Sequence, residues 1–334
     1  MTSARLLVGH HDLALYSDDP ALQPGPLAFL AVAPLVSGLP ARTAQTVGII
    51  TMCLGGLAVL RLLEGLAEPG PGRNRRVLVL GGLVLPVWAE VAVHWTHPDD
   101  VLALLAALGS LHLIQAGRWE WSAVALAVAV DSKPWALAFA PLVLLAPRSR
   151  LLRIAAAGAL GVLVVWVPFW AADPGGIAAA GRFRIAVSAA SVIHLLGVRS
   201  TSTPPWCRTA QLLLGLFLVG AAVVRRRWSA ALLGGVCARM LLDPATKTYS
   251  DSGLVLAAAV FDLTATAAFP LAAAGAVALV YLPTYLFPGV PDVRAAFRLA
   301  YLTGAPAWVL VRRRHRTPLP TPASEHPAGV AVGA

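Results

Sequence analysis

Charge is scarce in this sequence. Only 13% of its 334 residues are Asp, Glu, Lys or Arg, well below the roughly 25% of soluble domains. Lysine is nearly missing, with Lys133 and Lys247 the only two. Heavy use of Ala, Arg, Gly and Pro suggests a GC-rich bacterial genome, whose codons disfavour lysine, so the two that remain are informative. Cysteine is also rare. Cys53, Cys207 and Cys237 lie too far apart for metal-ligand spacing or a disulfide framework. No internal repeat is present, and no loop has room for a soluble domain. Leu6-Leu7-Val8 is too short for the apolar core of a signal peptide, so none is expected.

What is abundant is apolar surface. Hydrophobic residues make up 58% of the chain and the mean hydropathy is +0.73. A water-soluble fold would lack polar surface to cover itself. An outer-membrane barrel would need short alternating segments, whereas the apolar runs here are continuous. The expected class is all-α, a polytopic transmembrane helical bundle. The net charge of +10 is no nucleic-acid signal, because the arginines come in small groups between apolar runs, as cytoplasmic anchors do. Membrane lipids are the expected surroundings, with no nucleic-acid partner.

The chain divides into an outer N-terminal loop and interfacial helix (residues 1–42), a transmembrane helical domain (43–316) and a Pro- and Ala-rich tail (317–334) expected to be disordered and cytoplasmic. Pro26–Pro34 is short, as for an interfacial or re-entrant helix. Thr43–Glu64 is the first crossing. The others are Val77–Val93, Val101–Gln115, Trp121–Val130, Trp135–Leu145, Ile154–Trp170, Leu212–Val224, Ala230–Leu242, Leu254–Phe261, Ala265–Leu286 and Ala295–Val311, about eleven crossings in all. The fourth and fifth are short enough to form a bent or re-entrant pair. An amphipathic helix is expected at Ile185–Leu196 in a long outer loop. In this threading the arginine clusters fall on one side, the cytoplasm, and most carboxylates on the other.

The outer side gathers Asp12, His97, Asp99, Asp100, Lys133, Arg182, Arg184, Asp243, Lys247, Tyr249 and Asp251. Carboxylates can act as general base or bind metal, and cations can hold phosphate; together they suit transfer chemistry on a phosphorylated substrate. Loops on a membrane surface are hydrated, and Asp18, Asp19, Asp173 and Asp292 read as ordinary surface charge. Lys133 stands between two apolar runs, close to the hydrocarbon, where a charge is a functional candidate by default. The competing readings are snorkelling to the interface and a local pair with Asp131. His97-Pro98-Asp99-Asp100 reads either as a functional wall or as a helix start with acidic residues in its first turn. Glu90 lies in an apolar span, either approaching the pocket or near the interface, and His194 reads as structural.

His11-Asp12-Leu13-Ala14-Leu15-Tyr16 followed by Pro20-Ala21-Leu22-Gln23-Pro24-Gly25-Pro26-Leu27 resembles the first outer loop of bacterial GT-C-type membrane glycosyltransferases, the polyprenyl-phosphate-mannose-dependent mannosyltransferases and their relatives. His97-Pro98-Asp99-Asp100 resembles their second acidic loop. Lys133-Pro134-Trp135 with Ala140-Pro141-Leu142 resembles their Lys-Pro segment, and Asp243-Pro244-Ala245-Thr246 with Tyr249 a late outer loop of actinobacterial relatives. The motifs are short and degenerate, but their order spans most of the chain. The resemblance implies a GT-C-like fold in the bacterial cytoplasmic membrane, its active face extracytoplasmic. It implies transfer of mannose or a pentose from a polyprenyl-phosphate donor to a glycan or glycolipid acceptor. Asp12 would be the catalytic base. Lys133 and Lys247 would contact the donor phosphate, and His97, Asp99, Asp100, Tyr16 and Tyr249 the sugar or acceptor. No cofactor and no metal ligand is assigned; a divalent-metal requirement stays open. The chain departs from the family chiefly in that no transmembrane helix precedes Asp12, as a late start or a truncated gene would give; Lys247-Thr248-Tyr249 is also less aromatic than the family pattern. The alternatives are a membrane transporter or lipid-handling protein, or a noncatalytic relative. Transporters often carry repeats, which this sequence lacks.

Overall fold

A computed structural model gives the fold and describes residues 13–19, 21–67, 69–70, 72–182, 184–265 and 269–311. The apolar runs are helical, and no strand occurs among the described residues. Helices keep backbone hydrogen bonds inside each segment, as an apolar surround demands. In order they are α1 (Leu15–Asp18), α2 (Pro26–Gly38), α3 (Ala41–Leu66), α4 (Arg73–His94), α5 (Pro98–Gln115), α6 (Trp119–Ser132), α7 (Pro134–Leu145), α8 (Arg148–Ala172), α9 (Pro174–Ala180), α10 (Val192–Leu195), α11 (Trp206–Val224), α12 (Trp228–Leu241), α13 (Tyr249–Ala265), α14 (Leu271–Leu286) and α15 (Pro291–Val311). Proline opens α2, α5, α7, α9 and α15, where its missing N–H has no helical partner to lose.

Four helices are long and apolar enough to cross a membrane: α3, α4, α8 and α11. α8 stands apart, with 11% of its apolar window buried against 33–39% for the other three. Leu152, Leu160, Leu163, Val164, Val167 and Trp170 point outward from it, while Gly158 and Gly161 pack on Ala123 and Ala127 of α6. α7 is a 3₁₀ helix of 12 residues, an uncommon length for that geometry. At about 2.0 Å per residue it reaches roughly 24 Å, most of a ~30 Å hydrocarbon core. Pro141, inside it, has no N–H for an α-helical ladder. α7 is held by close approach to α11 and α12. A Cβ on Gly215 would meet Ala138 Cβ at 2.7 Å, and one on Gly235 would meet the Phe139 ring at 2.5 Å. Small residues at such contacts let helices pack where no water drives them together.

Two expectations need correction. Leu254–Phe261 is not a short return. It is the middle of α13, whose side chains from Ser250 to Leu263 are all buried. A helix apolar on every side belongs inside a bundle, and α13 is the core helix against which α4, α12 and α14 pack. The Ile185–Leu196 amphipathic helix is absent. Residues 184–188 form no regular element and only Val192–Leu195 turns helical. Non-local bonds win there: the Val187 N–H donates to Ser200 O at 3.0 Å and the Ser188 N–H to Pro244 O at 2.8 Å.

Candidate functional site

The site forms because α5 and α6 are an antiparallel pair. The first turn of α5, carrying Asp99 and Asp100, therefore lies beside the last turn of α6, where Lys133 ends the helix. Thr96, with φ of 49°, turns the chain between α4 and α5. That left-handed conformation costs a non-glycine residue roughly 1–2 kcal/mol.

Lys133 Nζ bonds Asp99 Oδ2 and lies 3.0 Å from Asp100 Oδ2. Arg239, near the end of α12, approaches Asp100 Oδ1 at 3.7 Å and stacks over Trp135 at 4.5 Å. His97 Nδ1 is 3.3 Å from Asp99, and its ring stacks on Tyr249 at 4.2 Å. Asp99, Asp100 and Lys133 are buried. Two buried carboxylates thus face two cations, which is what makes such burial tolerable. Burial alone would raise Asp99, but the Lys133 ammonium and His97 hold it well below the usual carboxylate range. Burial would lower Lys133, but Asp100 and Asp99 push it above its ordinary value. Both stay charged at neutral pH.

Beside this cluster lies a cavity of about 350 Å³. Its polar wall is Lys133, Arg239, Arg208 and Gln211; its apolar walls include Trp135, Ala138, Trp166, Ile177, Leu212 and Leu22. α7 forms its floor. Its sides are α8, which faces outward, and α11. Tyr16, Leu22, Gln23 and Pro24 close one side. The Gly25 N–H donates to Ser132 O at 2.9 Å. Tyr16, buried, donates its hydroxyl to Pro24 O at 2.9 Å and lies parallel to Trp166 at 6.3 Å. Such a space suits an amphiphile: an anionic head against the arginines, and an apolar chain against Trp135, Trp166 and Ile177.

Of the residues picked from sequence, His97, Asp99, Asp100, Lys133 and Tyr249 come together in one cluster, with Tyr16 across the cavity. Lys133 is not a snorkelling anchor, and its partners are Asp99 and Asp100 rather than the neighbouring Asp131. Lys133 and Tyr16 line the cavity, whereas His97, Asp99, Asp100 and Tyr249 lie behind Lys133 and do not. Lys247 is exposed, its ammonium 4.9 Å over the Trp95 ring, and it contacts neither the cavity nor the carboxylate pair. Asp12, with the rest of residues 1–12, is outside the described residues. His97, Asp99 and Asp100 offer three donor atoms within 4.8 Å, the makings of a cation site. The Lys133 ammonium already lies on both carboxylates and is the cation of this cluster; a metal would have to displace it.

Arg208, Arg239 and Trp166 were not read from sequence, and Trp135 only as part of the Lys-Pro segment. Arg239 had a usable signal, a lone arginine inside an apolar run like Lys133 between two. Arg208 had none, sitting in a helix start that looks like any interface. Asp131 is buried, and one of its oxygens finds no hydrogen-bond donor. Burial pushes its carboxyl up to about 7, with the Trp166 indole opposing. No family model matches the chain, and no curated protein or solved structure does either.

Proposed function

We propose that this chain is an integral-membrane glycosyltransferase of GT-C type that takes mannose or a pentose from a polyprenyl-phosphate donor at the outer face of the bacterial cytoplasmic membrane. The shorter helices then cross with the four long ones, giving about eleven passages. The observation that carries the reading is the cavity: Lys133, Arg208 and Arg239 on its polar wall, Trp135, Trp166, Ile177 and Leu212 on its apolar walls, and a pair of buried carboxylates next to it. The family resemblance, with its ordered motifs, points the same way.

In this reading the acceptor hydroxyl attacks the anomeric carbon. The bond from that carbon to the phosphate oxygen breaks, and the electron pair leaves with polyprenyl phosphate. The hydroxyl proton passes to a carboxylate, Asp12 by resemblance. Charge grows on the departing phosphate, so cations fixed nearby stabilise the transition state more than the ground state. Arg208 and Arg239 are better placed for this than Lys133, whose ammonium is engaged by Asp99 and Asp100. Lys133 instead keeps those carboxylates ionised and in place to orient sugar hydroxyls, with His97 and Tyr249 beside them. Lys247 drops out of the phosphate contacts, since it does not reach the cavity.

The test is ligand-induced stabilisation in detergent. A ligand at a hundred times its Kd stabilises a fold by about 2.7 kcal/mol. Polyprenyl phosphate is expected to raise the thermal midpoint, and Arg208→Ala to abolish most of that rise while Lys247→Ala leaves it. No rise with polyprenyl phosphate, or an equal rise in Arg208→Ala, would sink the assignment of the cavity.

A further inference from the structure

Glu90 is a carboxylate within a helix long and apolar enough to span a membrane, and it touches neither the cavity nor the Asp99/Asp100 pair. Such a group asks for an account. The last turn of α4, Glu90–His94, is π-helical, and α14 carries a second π-helical turn at Val277–Tyr281. π turns within α-helices frequently mark functional positions. Both meet at Glu90. One of its oxygens accepts from the hydroxyls of Tyr285 at 2.5 Å and Tyr281 at 3.3 Å; the other accepts from Thr248 Oγ1 at 2.8 Å.

The polarity of the Thr248 bond is forced. The Trp95 indole N–H donates to Thr248 Oγ1 at 2.8 Å. An indole N–H only donates, and a threonine hydroxyl has one proton. With Trp95 bonded to its oxygen, the Thr248 proton needs an acceptor, and Glu90 supplies it. Three remote segments are thereby tied to one carboxylate: the end of α4, the loop before α13 and the C-terminal half of α14. The next residue after Thr248 is Tyr249. Its ring meets Trp95 edge-on at 5.7 Å and stacks on His97, which faces Asp99.

We propose that Glu90 is a positioning residue: acting through Thr248 and Trp95, it sets where Tyr249 and His97 stand against the Asp99/Asp100 pair. Its consequence for turnover rests on the transferase reading; its geometry does not. Glu90→Ala leaves the Thr248 proton without an acceptor and frees the loop. Glu90→Gln keeps one acceptor oxygen, which can serve Thr248 if the amide turns its nitrogen to the tyrosine oxygens. A partial rescue by Gln is therefore part of the proposal.

The experiment uses full-length protein labelled with 5-fluorotryptophan, with the Trp95 resonance assigned by its loss in Trp95→Phe. Glu90→Ala and Thr248→Val are each expected to shift the Trp95 line. The double variant should shift it no further than either single change, since both cut one chain of bonds. Tyr285→Phe, which leaves the Thr248 link intact, should leave the line in place. Donor turnover measured alongside should lose kcat in Glu90→Ala by up to about a hundredfold, as small misplacements near a reacting centre do. KM for the donor should hold, and Glu90→Gln should recover most of the rate. An unmoved Trp95 line in Glu90→Ala, or fully additive shifts, would overturn the proposal. So would a shifted line with unchanged kcat, which would make Glu90 structural only. The fluorine measurement needs no turnover, so it decides the Glu90–Thr248–Trp95 link even if the transferase reading fails.

Discussion

At the residue scale, the pairing of Lys133 with Asp99 and Asp100 changes what its substitution should do. Removing one member of a buried ion cluster leaves uncompensated charge and typically costs 3–5 kcal/mol. Lys133→Ala should therefore lower thermal stability in detergent as well as activity. Lys133→Ala combined with Asp99→Asn should regain part of the stability, and denaturation midpoints of the three proteins check this. No regain would mean that Lys133 is not held by that carboxylate. The pair itself should be insensitive to pH near neutrality. Depressed Asp99 contributes stability present above about pH 4 and lost as pH falls below it; raised Lys133 contributes stability present below about pH 10 and lost as pH climbs above it. Asp131 behaves differently, with its carboxyl pushed up to about 7 by burial. The fold binds its proton more tightly than the unfolded chain does. The stability it contributes is thus full below about pH 4 and is lost as pH rises to about 7. Asp131→Asn should flatten that decline, read from midpoints across pH 4 to 8; an unchanged slope would contradict the assignment. Lys133 and the His97–Asp100 stretch were legible as residues because charge between apolar runs is expensive. Their partners were not, since only the antiparallel meeting of α5 and α6 reveals them. Glu90's partners lie 158–195 residues away along the chain, beyond any local pattern.

At the scale of elements, the N-terminal segment is the part of the site most sensitive to sterics. A Cβ on Gly25 would sit 2.1 Å from the Asp131 carbonyl oxygen, so backbone must move to admit it. Gly25→Ala should push the segment carrying Tyr16, Leu22, Gln23 and Pro24 off the end of α6. The strain should cost roughly 1–3 kcal/mol. It should also expose residues near Tyr16 to limited proteolysis while α3 to α6 stay protected; unaltered cleavage would show that the segment is not seated there. Helix positions were largely legible, since Pro98 marks the start of α5 and Arg148 and Asp173 mark the two ends of α8. α13 was misjudged because periodicity carries no information when every face is apolar. Its extension back through Ser250, Asp251 and Ser252 depends on distant partners. Asp251 pairs with Arg298 at 3.4 Å, and the Ser252 hydroxyl donates to Val87 O at 2.6 Å. The 3₁₀ form of α7 was equally hidden, because it follows from Pro141 together with the tight seats at Gly215 and Gly235.

At the scale of the whole molecule, the account requires one face for the arginines and the other for the site. Each helix from α4 to α6 runs from one such end to the other, and Arg225 and Arg227 bond the carbonyls of Leu310 and Val309 at the end of α15. In a cysteine-free background, a cysteine at position 96 should react with an impermeant thiol reagent in intact cells, and one at position 75 only after permeabilisation. The reverse pattern would invert the topology and move the site to the cytoplasm. The all-helical class, with four helices long and apolar enough to cross a membrane, was legible from charge scarcity and continuous apolar runs; the chemistry is not carried by either. It is tested most directly by incubating the purified protein with a radiolabelled polyprenyl-phosphate sugar, with and without a glycan or glycolipid acceptor. The account predicts acceptor-dependent release of free polyprenyl phosphate with the label passing to the acceptor, sharply reduced in Arg208→Ala. Uptake of a solute into proteoliposomes, with the donor left intact, would contradict it.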